Sequence, residues 1–309
     1  MARSKDAEPM TSSDVSPVAG TLSTSNHRSG TNDVRKTDRP VVVGFEEGLA
    51  GTAAMLVALS EAQSRRAPLL VLHGLTGVER PPFYGADAAD DTSRRAVTRN
   101  IMRAIESLSP EPRDVDVTVE IVTTWVAREL IRASASAQLL VLGVTTKHAL
   151  TAAALDTVPH EVTRYARCPV MVVPAHSEAN RPRMIVCGVD RSEGSADALR
   201  WAADEAGRRG VTLLAIEERS DRDHAESDTS LSDWVRAQHP DAETTIICQV
   251  ETARHPAQAL LAAAEEHEGL LVVGRREHHG AKGLRSVARK VSAQTSVPTV
   301  IVPPRSEAS

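Results

Sequence analysis

Ile185-Val186-Cys187-Gly188-Val189-Asp190-Arg191-Ser192, set beside Val41-Val42-Val43-Gly44-Phe45-Glu46, shows a chain that repeats itself. Leu139–Leu142 with Gly143 returns as Leu270–Val273 with Gly274, and Cys168-Pro169-Val170-Met171-Val172-Val173-Pro174 returns as Val297-Pro298-Thr299-Val300-Ile301-Val302-Pro303. A repeat of this length sets the architecture before any single motif does. Gly188 follows Gly44 by 144 residues, Gly274 follows Gly143 by 131, and Pro298 follows Pro169 by 129. The second copy therefore carries two deletions. The larger lies between its first strand and third helix, the smaller between Gly274 and Val287.

Short apolar runs alternate with segments of helical period. In the second copy they are Met184–Val189, Ala196–Arg208, Val211–Ile216, Leu231–Gln238, Thr244–Val250, Ala257–His267, Leu270–Val273, Leu284–Ala293 and Thr299–Val302. Uniformly apolar runs suit strands buried on both faces, as in a parallel sheet covered by helices. Their alternation with helices predicts an α/β fold with two tandem, doubly wound, Rossmann-like sheets. Ala257, Leu261 and Ala264 in one copy, and Val126, Leu130 and Ala133 in the other, are read as matching stripes facing the sheets. Ligands of such sheets bind at the carboxyl ends of the strands, where strand order reverses. The loops after the first and fourth strands of each copy are thus the places to look.

Composition narrows the partners. The 309 residues carry a formal charge of −5, giving no chain-wide attraction to nucleic acid or an anionic membrane. Cys168, Cys187 and Cys248 have no C-x-x-C spacing and read as buried thiols in a reducing compartment. Residues 1–38 are rich in Ser, Thr, Asp and Gly and read as a disordered tail. No signal-peptide core and no membrane span of about 18 apolar residues is present, so a cytoplasmic location is expected.

The loops carry a resemblance. Ile185–Ser192 with Ala198-Leu199-Arg200-Trp201-Ala202-Ala203-Asp204-Glu205-Ala206, then His255-Pro256-Ala257-Gln258-Ala259-Leu260-Leu261, Leu270–Gly274 and Ser296–Pro303, resemble a universal stress protein domain. The first copy is similar but more diverged. The resemblance implies a tandem protein with domains at 39–175 and 182–305 and a five-stranded parallel sheet in each. It also implies, for members that bind ATP, an Asp after the first strand and a G-x2-G-x9-G-[ST] loop after the fourth. Glycines admit phosphate to backbone N–H groups, and a hydroxyl beside a helix N-terminus adds donors.

Both copies depart from that pattern. The first has Glu46 for the Asp, Thr146 for the second glycine and Asp156-Thr157 for Gly-[ST]. One such carboxylate a few ångströms from phosphate costs on the order of several kcal/mol, against about 8 kcal/mol for micromolar binding. ATP is therefore not expected there. The second copy keeps Asp190, Ser192 and Gly274 but has Glu277 at the second glycine and Arg285-Ser286 at the third, in a loop two residues shorter. Arg275, Arg276, Lys282 and Arg285 offer charge that could hold phosphate. Two readings stand: a solvated basic loop, or a residual adenine-nucleotide site formed by Asp190, Ser192, Gly274, Arg275, Arg285 and Ser286.

Other chemistry finds no frame. His278-His279 has no ligand at metal spacing beside it, so no metal site is expected. No Ser-His-Asp order, nucleophile elbow or P-loop is present. Trp125, Trp201 and Trp234 read as core or interface residues. The expected function is a non-catalytic stress-response regulator with ATP as its possible ligand in the second copy. The alternatives are a ligand-free scaffold binding an unknown protein partner, or a weak nucleotide hydrolase. The duplication further predicts an intrachain pseudo-dimer and a possible homodimer; the resemblance, to a family whose dimers often join along their last strands, implies that the edges Pro169–Val173 and Pro298–Val302 meet.

Overall fold

The computed structural model describes residues 39–74, 91–108, 114–123, 125–145, 158–177, 181–219, 229–252, 255–275 and 287–305. The expected tail, Thr146, Asp156, Arg276, Glu277, His278, His279, Lys282, Arg285 and Ser286 lie outside them. Repeat one runs β1 (Val41–Phe45), α1 (Leu49–Arg65), β2 (Leu69–Gly74), α2 (Asp91–Leu108), β3 (Val117–Val122), α3 (Val126–Ser134), β4 (Leu139–Val144), α4 (Val158–Tyr165) and β5 (Val170–Pro174). Repeat two runs β6 (Met184–Val189), α5 (Glu193–Arg209), β7 (Thr212–Arg219), α6 (Leu231–Gln238), β8 (Ile246–Thr252), α7 (Pro256–Glu266), β9 (Leu270–Gly274), α8 (Val287–Gln294) and β10 (Thr299–Val302).

Each repeat is a parallel five-stranded sheet, and the two are continuous in the order β3-β2-β1-β4-β5-β10-β9-β6-β7-β8. The join is antiparallel: Val172 lies opposite Thr299, Met171 opposite Val300 and Val170 opposite Ile301. Two edges rich in Val, open in a single repeat, are thereby paired. Strand order reverses at β1/β4 and β6/β9, so each repeat has one switch point at the carboxyl ends of those strands.

The helices form two layers. α1, α2, α5 and α6 share one face and one apolar core that crosses both repeats, from Leu59 and Ile105 to Leu199 and Val235. The other face has a core under α3 and α4, with Leu130 and Val162, and another under α7 and α8, with Leu260 and Val291. Burying one such side chain contributes about 1.5–3 kcal/mol, whereas an exposed ion pair contributes about 0–1, so these cores hold the fold. The expected stripe on the third helix holds on α7 and is displaced on α3. On α7 the expected Ala257, Leu261 and Ala264 are all buried, with Leu260 beside them, whereas on α3 Ala127, Leu130 and Ser134 are buried and the expected Val126 and Ala133 only partly so. At 3.6 residues per turn, i+3 and i+4 neighbours share a face, and the choice falls to packing: Leu130 lies against Gly44, and Leu260 against Gly188. Trp201 and Trp234 pack on the core, while Trp125 is 69% exposed.

Polar groups also bridge the repeats. Arg65 of α1 donates to Glu61 at 3.0 Å and to Glu205 of α5 at 2.8 Å. Arg209 of α5 donates to Glu205 at 2.6 Å and also to Glu61. The pattern is isologous, each helix giving its Glu and Arg to the other. Arg208 adds bonds to Glu61, Glu205 and Ser64.

Candidate functional site

The β6–α5 connection is built around Ser192. Its hydroxyl accepts from the Ser195 amide at 3.3 Å and caps α5, which lets the helix start three residues earlier than its apolar period indicates. The same hydroxyl donates to Asp190 Oδ1, and the Ser192 amide donates to that oxygen at 3.0 Å. Asp190 is exposed. Between them Arg191 adopts a left-handed φ of 59°, a conformation uncommon outside glycine.

That backbone turn sends the Arg191 side chain across the strand ends. It grips both carboxylate oxygens of Glu217, at 2.5 and 3.1 Å, and donates to the Thr229 carbonyl at 2.8 Å. Glu217 lies opposite Val189 in the β6/β7 register and is buried. Neither Arg191 nor Glu217 was among the site residues expected from sequence. The available signal was their opposite charge at the carboxyl ends of two adjacent strands.

Gly274 ends β9 directly against the first turn of α5. A Cβ at that position would lie 2.2 Å from the Gly194 carbonyl oxygen, and one at Gly143 would lie 2.2 Å from that of Ala50. Both glycines are therefore required for helix–strand approach, whatever else they do. Arg275, one residue on, is not positioned as a loop cation. It is 8% exposed, and its guanidinium donates to the carbonyls of Ala166 at 2.8 Å and Thr163 at 3.3 Å in repeat one. The cause is local: the Arg167 amide, which would continue the α4 ladder to Thr163, turns instead to Ser134 Oγ at 2.9 Å. A guanidinium satisfies the carbonyls left at that helix end and suits its negative pole.

Repeat one is built differently at the same place. α1 begins at Gly48, at φ 123° and with no side-chain cap. The strand ends carry Phe45 and His73, rings 5.9 Å apart, with His73 Nδ1 3.0 Å from the Phe45 carbonyl. Glu46 is exposed. The two openings thus differ in capping and in the groups they present: Asp, Arg, Ser and a buried Glu in repeat two, against Glu, Gly and an aromatic pair in repeat one. Among the described residues, no three His, Cys, Asp or Glu side chains converge as a metal site would need.

The sequence matches the profile of the universal stress protein family over residues 38–174 and again over 182–303. A universal stress protein of Mycolicibacterium smegmatis is 29% identical over 295 residues, covering 87% of this chain and 98% of that protein. One from Mycobacterium tuberculosis is 26% identical, covering 84% and 95%. A universal stress protein structure from Archaeoglobus fulgidus superposes with a TM-score of 0.67 at 16% identity, over 88% of this chain and 98% of that one, which speaks to fold alone. With one match over each of the two repeats that the sheet joins, this protein belongs to the universal stress protein family.

Proposed function

We propose that the chain is a cytoplasmic, non-catalytic stress-response regulator that takes at most one adenine nucleotide, in repeat two. The observation that carries this reading is the asymmetry of the two helix openings. α5 starts at a serine hydroxyl held beside Asp190, a polar opening for a nucleotide, whereas α1 starts at an uncapped glycine beside Glu46. The nucleoside belongs near Asp190 and Ser192, and the phosphates belong over the α5 N-terminus, where amides and helix dipole favour anions. Arg285 and Ser286, which lie outside the described residues, complete the proposed set. No residue in this set is assigned a proton transfer or a bond-breaking step. The free, buried Cys168 and Cys187 accord with a reducing compartment.

Arg275 and Gly274 favour a second reading, a ligand-free scaffold, because both are already committed to protein contacts. Extraction of the purified full-length chain followed by mass spectrometry separates the two. Recovered adenine nucleotide supports the first reading. A protein free of nucleotide that also fails to take up added ATP supports the scaffold.

A further inference from the structure

α3, α4, α7 and α8 all lie on one face of the sheet, and the two repeats present unlike surfaces there. The chain has only three Trp, two Tyr and two Phe. Two of these stand exposed together on repeat one: Trp125, 69% exposed at the start of α3, and Tyr165, 51% exposed at the end of α4. Trp125 Nε1 donates to Glu161 of α4 at 3.2 Å, and Arg164 lies 5.1 Å over the Tyr165 ring. Large aromatics grouped on a polar surface are the composition of a contact site.

The matching positions of repeat two are complementary. His255 stands at the α7 cap, where Trp125 stands for α3. Lys290 and Gln294 are the fourth and last residues of α8, as Glu161 and Tyr165 are of α4. With no aromatic between them, α7 and α8 leave a groove of about 170 Å³ lined by His255, Ala257, Gln258, Lys290 and Gln294. Its cation, Lys290, faces solvent where repeat one presents the carboxylate of Glu161.

We propose that this face is a self-association surface: Trp125 of one copy enters the α7/α8 groove of a second, with Glu161 paired to the second copy's Lys290 and Tyr165 covering the rim. The antiparallel join of β5 and β10 relates the repeats by an approximate two-fold axis through the face, so aromatic patch and groove sit at opposite corners of it. A dimer axis lying in the face, at right angles to the line between them, forms both contacts at once. The assembly closes at two copies.

Sedimentation velocity of the full chain over a dilution series tests this. A reversible dimer is expected, and Trp125→Ala should weaken it by about tenfold or more, as loss of a central aromatic anchor does. Glu161→Lys alone and Lys290→Glu alone should each weaken it, and the two together should restore it. All these residues are at the surface, so an unchanged melting temperature establishes that the variants fold. A wild type that stays monomeric at the highest concentration overturns the proposal, as does a dimer indifferent to Trp125→Ala or a charge swap that fails to rescue. A monomer whose Trp125 fluorescence is shielded until residues 1–38 are deleted overturns it also, by giving the patch to the chain's own first segment.

Discussion

Arg65 of repeat one and Glu205 of repeat two meet at 2.8 Å with both side chains almost wholly buried, so the two repeats are held together by charge as well as by the sheet. Burial opposes ionisation of Glu205, but Arg65, Arg209 and Arg208 outweigh it and hold the carboxyl down at about 2. Removing one partner of a buried pair strands the others, at about 3–5 kcal/mol. Glu205→Gln should therefore lower unfolding free energy by about that amount in urea titrations. A change below about 1 kcal/mol would show that the network is screened as a surface pair is.

The same carboxyl sets an acid limit. Its folded value lies below the ordinary 4.5, so its stabilisation is complete above that pH and fades as pH falls toward about 2. The loss, on the order of 3 kcal/mol, should appear as a steeper acid limb in the wild type than in Glu205→Gln. Parallel limbs in the two proteins would show that Glu205 does not set the acid limit.

Arg66 ends α1 at φ 50°, where its counterpart Gly210 ends α5 at φ 67°. A left-handed C-terminal residue is strained with a Cβ and relaxed without one. Arg66→Gly should raise stability by about 0.5–1 kcal/mol, read as a higher melting temperature. A lower one would mean that the Arg66 side chain contributes more than its backbone costs.

Gly143→Ala and Gly274→Ala should each cost about 1–3 kcal/mol in the ligand-free protein, because the added methyl meets main chain and not a flexible side chain. Glycines kept for a phosphate alone would leave the ligand-free melting temperature where it was.

Burial raises the thiols of Cys168 and Cys187 to about 12, and only Cys248 has appreciable exposure. One thiol should react with Ellman's reagent in the native protein and three after denaturation. Three equally fast thiols would contradict the burial.

The strands were legible in sequence because short Val, Leu and Ile runs such as Leu139–Leu142, alternating with helical segments, suit a sheet covered on both faces. The duplication predicted that the two repeats would associate, and the family resemblance implied the edges, Pro169–Val173 with Pro298–Val302, that β5 and β10 do pair along. The salt-bridge cross was harder to see. Glu61–Arg65 and Glu205–Arg209 have the i, i+4 spacing of countless exposed helix pairs, and only their recurrence at the same place in both copies set them apart. Arg275 misled for a similar reason. Its neighbours in sequence include other cations, and nothing local announces that Thr163 and Ala166, more than a hundred positions away, need donors.

Calorimetric titration of the full-length chain with ATP distinguishes a single nucleotide site, in repeat two, from a pair of equivalent sites. No more than one site per chain is expected. Binding should be weakened by Asp190→Ala, weakened by about 1–3 kcal/mol on Arg285→Ala, and unaffected by Glu46→Ala. Two equivalent sites, or one that survives Asp190→Ala and is lost on Glu46→Ala, would contradict it.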